Sequence, residues 1–217
     1  MSEIILMSDP RVAAIELHEN GEPLVDARVD GPALLVDARG SADHPAVAHL
    51  RTGVLERLLD AASRLPDGLR LVLVEGYRSP DRQRRAVEGH RERLRAEGGQ
   101  RSEEELDAAV SHCAAPPAVA GHPAGAAADL TLFDVDGREL DMGTAVGATP
   151  GESDGACCTD ALSITPRARE NRRLMGDVLR AAGLVNYPAQ WWHWSYGDRY
   201  WALQTGAPHA VYGPHER

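Results

Sequence analysis

Two histidines and one aspartate stand in sequence contexts that favour metal binding. His122 and Asp129 are separated only by Pro, Ala and Gly residues, so the chain between them can turn tightly. His193 follows far downstream, between Trp192 and Trp194. Imidazole nitrogens and carboxylate oxygens are the usual ligands of zinc and similar divalent metals. These residue types therefore indicate chemistry at a bound metal ion.

Each of the three residues also has a purely structural interpretation. A single histidine in an aromatic strand is more often a hydrogen-bonded core residue than a ligand, and a lone buried aspartate is more often a cap or a salt-bridge partner. Against this, Asp129 stands in an apolar segment, where an unpaired carboxylate is costly. The spacing by itself leaves both interpretations open.

Two predicted strands carry these residues. Residues 127–133 are mostly apolar, which predicts a strand, and Asp136-Gly137 is a typical hairpin turn. Residues 138–142 are therefore predicted to return antiparallel to that strand. Residues 190–195 contain His193, are rich in aromatic residues and predict a further strand.

The rest of the chain predicts an α+β fold, with helices early and an antiparallel sheet later. Hydrophobic periodicity, capping residues and Gly or Pro breaks predict helices over residues 49–65, 82–97 and 165–183, and another helix that opens at Ser102. A strand is predicted over residues 69–74, and a long loop over residues 143–160. We predict one domain over residues 1–217, in which residues 1–20 form an N-terminal arm.

Composition excludes several classes of partner. The chain has 217 residues and a formal net charge of −10, which would repel a nucleic acid and does not suit a membrane surface. No apolar run approaches the length of a membrane span, and the N-terminus has no signal-peptide pattern. Three cysteines, two of them adjacent at Cys157 and Cys158, make a poor disulfide framework and indicate the reduced cytoplasm. The oligomeric state is left open.

Several motifs in the same order resemble the D-alanyl-D-alanine dipeptidases, a family of zinc enzymes. The pattern His-x-x-Gly-x-Ala-x-Asp over residues 122–129 is followed by Trp-Trp-His at residues 191–193. Further matches are Gly-Tyr-Arg at residues 76–78 and residues 140–144, 170–174 and 194–201. The resemblance covers about residues 20–214. It implies the fold of that family, a central antiparallel sheet flanked by helices.

The resemblance also implies roles for individual residues. His122, Asp129 and His193 would bind one divalent metal ion, Zn²⁺ by the resemblance, and three protein ligands leave a position open for water or substrate. Arg78 would bind the substrate and stabilise the oxyanion that develops when a carbonyl is attacked. A salt bridge near a turn is the structural alternative for Arg78.

Three positions depart from the family pattern. The family glutamate that takes a proton from the attacking water is Gln190 here, and an amide cannot accept that proton near neutral pH. A usual serine is replaced by Ala120, and the carboxylate that binds the substrate amino group has no clear counterpart in residues 143–147. Gln190 is either an inactivating substitution or a natural feature of a protein that changed its reaction. If hydrolysis is nevertheless fast, Glu152 or Asp154 is the alternative base.

Three functions follow in order of preference. The first is a zinc-dependent hydrolase of small dipeptides such as D-Ala-D-Ala, impaired by Gln190. The second is a different metal enzyme, such as a non-haem iron oxygenase or a lyase, which would use the two histidines and one aspartate to bind Fe²⁺ and act on an amino-acid-like substrate. The third is a non-catalytic protein that retains only the metal.

Overall fold

A five-stranded mixed sheet forms the framework of the fold. The computed structural model describes residues 4–37 and 44–215. The strands are β1 (Leu24–Asp26), β2 (Leu35–Val36), β3 (His49–Arg51), β4 (Leu69–Glu75), β5 (Ala127–Asp134), β6 (Val185–Asn186) and β7 (His193–Ser195). The large sheet has the order β2-β4-β5-β7-β6, and β1 pairs separately with β3. Only β2 and β4 run parallel; the other pairs are antiparallel.

Helices surround this sheet, which gives the predicted α+β class. They are α1 (Pro10–Ala13), α2 (Ala27–Asp30), α3 (Thr52–Ser63), α4 (Pro80–Ala96), α5 (Glu103–Ser111), α6 (Pro150–Ser153), α7 (Pro166–Ala181) and α8 (Arg199–Thr205). Local chemistry explains where several of them begin. Ser102 and Glu105 form the predicted capping box at the start of α5. Thr165 caps α7 by accepting from the backbone N–H of Ala168, and Pro166 occupies the first helical position.

The main core lies between the large sheet and the helices α3 and α7. Leu71 and Leu73 of β4 and Leu130 and Leu132 of β5 are fully buried and alternate along their strands. A second, smaller cluster contains Met7 and other residues of the N-terminal segment. The described part of the predicted arm therefore packs against the body of the protein.

Two predicted elements differ in extent from those of the structure. The helix predicted over residues 49–65 begins only at Thr52, because His49–Arg51 pairs antiparallel with Leu24–Asp26. The predicted return strand over residues 138–142 is reduced to one bridge between Phe133 and Glu139. The turn itself is present, with Gly137 at a φ of 76°.

The segment before His193 also differs from the prediction. Residues 190–192 form a turn, and β7 starts at His193. The Asn186 side-chain amide donates to the carbonyl oxygens of Gln190 at 3.1 Å and His193 at 3.0 Å. Because these carbonyls are bound by a side chain, the backbone can leave the sheet there without losing its hydrogen bonds. The turn places Gln190 beside the site.

The three cysteines are free thiols, and Cys157 is buried in the main core. In residues 4–37 and 44–215, none of the helices has both the length and the hydrophobicity to cross a bilayer.

Candidate metal centre

The sheet brings the two histidines and the aspartate together. Asp129 of β5 pairs directly with His193 of β7, and His122 lies in a 3₁₀ turn just before β5. One carboxylate oxygen, Asp129 Oδ1, lies 2.9 Å from His193 Nδ1 and 3.3 Å from His122 Nε2. All three residues are buried, and their ligand atoms lie within 4.8 Å of one another. The three donors can therefore contact one ion.

The turn between His122 and Asp129 explains the small residues of the motif. Gly125 has a φ of 65°, which favours glycine, and a Cβ there would overlap the Leu24 side chain. The His122 Nδ1 lies 2.6 Å from the Gly76 carbonyl oxygen. Because a carbonyl only accepts, Nδ1 donates this bond, and Nε2 is the nitrogen that faces Asp129. Nε2 is therefore the His122 atom available to bind a metal ion.

The charge state of Asp129 also suits a cation. Burial by itself would raise the pKa of this carboxyl, but the charges and hydrogen bonds of His122 and His193 outweigh it and lower the pKa far below its ordinary value. The side chain is therefore a carboxylate at neutral pH, held between two imidazoles. Two nitrogens and one carboxylate oxygen are a donor set that fits a divalent metal with further positions left open.

Arg78 lies beside this centre and is held by a partly buried ion pair. Its guanidinium donates to both carboxylate oxygens of Glu75, at 3.0 Å from Nε and 2.5 Å from Nη2. Its Nη1 donates to Gln83 Oε1 at 3.0 Å. Arg78 therefore forms the salt bridge of the structural alternative and also lies in the pocket, as its predicted role requires. The ion pair fixes the guanidinium beside the metal ligands.

The pKa values of this ion pair move in opposite directions. Burial would raise the pKa of Glu75, but the hydrogen bond and charge of Arg78 outweigh it and lower that pKa. Burial would lower the pKa of Arg78, but Glu75 outweighs it and raises the pKa of the guanidinium. Both groups therefore stay charged in the site.

The metal ligands and Arg78 line one pocket of about 440 Å³. Gln190 lines it as well, which brings all five of the predicted site residues together. The Gln190 amide nitrogen donates to the carbonyl oxygens of His112 and Cys113, at 2.9 Å in each case. Both bonds need N–H donors, which an ionised glutamate lacks. The two hydrogen bonds therefore require an amide, and not an ionised carboxylate, at position 190.

Sequence reasoning missed several polar residues of the pocket, among them Glu75, Arg82 and Gln83. Glu75 ends an apolar strand immediately before the Gly-Tyr-Arg motif, so a carboxylate three residues before Arg78 was a usable signal. Arg82 and Gln83 carried no comparable signal, because their positions depend on how α4 packs. Glu152, considered as an alternative base, accepts from the backbone N–H and the hydroxyl of Thr149 at the start of α6. Neither Glu152 nor Asp154 lines this pocket.

Comparison with known proteins gives concordant matches. A family model described as D-ala-D-ala dipeptidase (peptidase M15) matches residues 45–210. A D-alanyl-D-alanine dipeptidase of Synechocystis sp. is 28% identical over 225 residues, covering 90% of each chain. The D-alanyl-D-alanine dipeptidase of Escherichia coli is 35% identical over 72 residues, covering 33% of this chain and 35% of that protein.

One solved structure was also compared. It is a mutant of the vancomycin resistance D,D-pentapeptidase VanY in complex with Zn(II), with 15% sequence identity and a TM-score of 0.42. The match covers 75% of this chain and 80% of that chain.

Proposed function

Since the chain belongs to the D-Ala-D-Ala dipeptidase family, we propose that it is a zinc-dependent hydrolase of small peptides such as D-Ala-D-Ala. The proposal depends above all on one observation: the buried ligand atoms of His122, Asp129 and His193 converge within 4.8 Å of one another. The alternative of a hydrogen-bonded core does not account for a pocket that opens on all three residues together with Arg78.

The roles of the residues follow from their chemistry. A zinc ion held by His122, Asp129 and His193 would polarise the scissile carbonyl and lower the pKa of a water molecule. Arg78 places a fixed positive charge beside the ligands, where it can stabilise the negative charge that develops on the carbonyl oxygen. Glu75 positions Arg78 through the bidentate ion pair. Burial of the carboxylate and guanidinium strengthens this electrostatic contribution.

Gln190 limits the proposed reaction. The amide holds the segment at His112 and Cys113 through two hydrogen bonds, and it cannot take a proton from the attacking water. General base catalysis contributes about 10²- to 10⁴-fold in typical enzymes. We therefore propose that hydrolysis by this chain is slow compared with that of a relative that carries glutamate.

The two bonds of Gln190 also favour a second candidate function. A position built for an amide fits a metal enzyme that uses the site for another reaction on an amino-acid-like substrate. The same donor set binds Fe²⁺ in non-haem oxygenases, so the bound metal separates the two candidates. A cytoplasmic location belongs to the proposal as well, and the three free thiols favour it.

The test is the metal content of protein purified without added metal and under anaerobic conditions. We expect one zinc ion per chain, and we expect its loss in His122→Ala and in His193→Ala. The matched control is His18→Ala, which removes a histidine whose side chain is 59% exposed. Full zinc occupancy in His193→Ala would contradict the assigned ligands, whereas iron in the unmodified protein would favour the second candidate.

A further inference from the structure

Arg82 is a cation in the pocket that has no strong partner in the described part of the chain. It lies in the first turn of α4, and its guanidinium has one ion contact, 3.5 Å from Nη2 to Glu75 Oε1. Glu75 already accepts two shorter bonds from Arg78. Most N–H groups of Arg82 therefore remain available to an anionic ligand in the pocket.

Among residues 4–37 and 44–215, two acidic residues line the pocket, Glu75 and Asp129. Glu75 is bound to Arg78, and Asp129 lies between the two histidines that make up the candidate metal centre. Once a divalent ion is present, its two charges and those of the two arginines outweigh the two carboxylates. The pocket is then net positive, which attracts a carboxylate and repels an ammonium group.

No acidic side chain of the long loop lines the pocket. The loop contributes Val146, Gly147 and Ala148 to the lining. The nearest acidic residue along the loop, Glu152, accepts from the backbone N–H and the hydroxyl of Thr149 and lies outside the lining. A protonated α-amino group in this pocket would lose its hydration without gaining a carboxylate partner, and such burial is costly.

We infer that Arg82 binds the carboxylate of the substrate and that the pocket takes N-acylated amino acids or peptides in preference to peptides with a free α-amino group. An acyl group removes the charge of the amine, so its burial requires no anion. The remaining charge of the ligand is its carboxylate, which matches Arg82. This inference rests on the proposed function and narrows its substrate class.

Binding to the zinc-loaded protein tests both parts, since slow turnover allows titration at equilibrium. Isothermal titration calorimetry would compare D-Ala-D-Ala, N-acetyl-D-Ala-D-Ala and the carboxamide of the N-acetyl compound. We expect the N-acetyl compound to bind about tenfold or more tightly than either of the other two, the effect of one charge-assisted interaction gained or lost. The same three titrations on Arg82→Gln should bring the carboxylate and carboxamide affinities to near equality.

Arg85→Gln is the matched control, because Arg85 lies on the same helix, is exposed and does not line the pocket. It removes the same charge and should keep the preference for the carboxylate. Tighter binding of free D-Ala-D-Ala than of its N-acetyl form would overturn the substrate class, and an unchanged preference in Arg82→Gln would overturn the role of Arg82. If zinc binds but none of the three compounds does, the proposed peptidase function fails, and the inference fails with it.

Discussion

Replacing Gln190 with glutamate tests how far a single group determines the activity of this site. In Gln190→Glu the family's base is restored in the pocket, but both donors to the carbonyl oxygens of His112 and Cys113 are lost. The new carboxyl group would face two carbonyl oxygens when it occupies the position of the amide. That contact and burial both disfavour the charged form, so the pKa of the introduced carboxyl should lie above the ordinary glutamate value.

The substitution changes both the free energy of unfolding and the rate of hydrolysis, by different amounts. The lost bonds contribute about 0.5–1.5 kcal/mol each, so the free energy of unfolding should fall by about 1–3 kcal/mol. A fall of that size corresponds to a decrease in Tm of roughly 2–12 °C for a chain of this length. A domain with about 5–15 kcal/mol of stability remains folded after such a loss. The rate of hydrolysis should rise by about 10²- to 10⁴-fold, because a group that accepts the proton is now present.

The assay is hydrolysis of D-Ala-D-Ala and of its N-acetyl form by zinc-loaded protein, measured as release of D-alanine across a pH range. Gln190→Ala is the matched control, because it loses the same two hydrogen bonds without gaining a base. The activity of Gln190→Glu should increase with pH as the carboxyl ionises, with its acid limb displaced to higher pH by the raised pKa.

Equal rates for Gln190→Glu and Gln190→Ala would refute the reasoning, since the carboxylate would then have no access to the reacting water. Fast hydrolysis by the unmodified chain would also refute the reasoning, because it would show that the site does not lack a base. In that case the base is another group, and the two bonds of Gln190 are only structural.

Three further predictions follow from the geometry around the site. Arg78→Lys keeps the charge but loses the bidentate bond to Glu75, so peptide binding measured by calorimetry should weaken about tenfold or more while zinc occupancy stays complete. The pKa of Glu75 is lowered from 4.5, so its ion pair stabilises the folded protein at pH values above 4.5. This contribution is lost as the pH falls through the lower pKa of the folded state. Urea unfolding of Glu75→Gln should therefore lack this loss of stability at acid pH. Gly121→Ala should lower the unfolding free energy by about 1–3 kcal/mol in thermal melts, because its Cβ would overlap the buried carboxylate of Asp198 and approach Ala127 Cβ at 2.9 Å. Normal stability of Gly121→Ala would show that Asp198 can move aside.

The sequence determined the fold class and the residue types at the centre of the site. Runs of apolar residues predicted β4 and β5, and capping residues predicted the starts of α5 and α7, because these signals act between residues that are close along the chain. Ordered motifs identified the metal-binding triad, Arg78 and the departure at Gln190, and the family match confirms the resemblance on which those expectations rested. The individual roles of these residues remain predictions.

Tertiary structure decided the features that depend on contacts between distant segments. His49–Arg51 became a strand because Leu24–Asp26 lies alongside it, and no local pattern encodes that partner. The exposure of Arg82 to the pocket and the two bonds of Gln190 depend on how β4, α4 and the segment after α5 pack together. A sequence specifies which side chains can ionise or donate, but the partners that satisfy them are fixed only when the chain has folded, because burial makes each unsatisfied polar group costly.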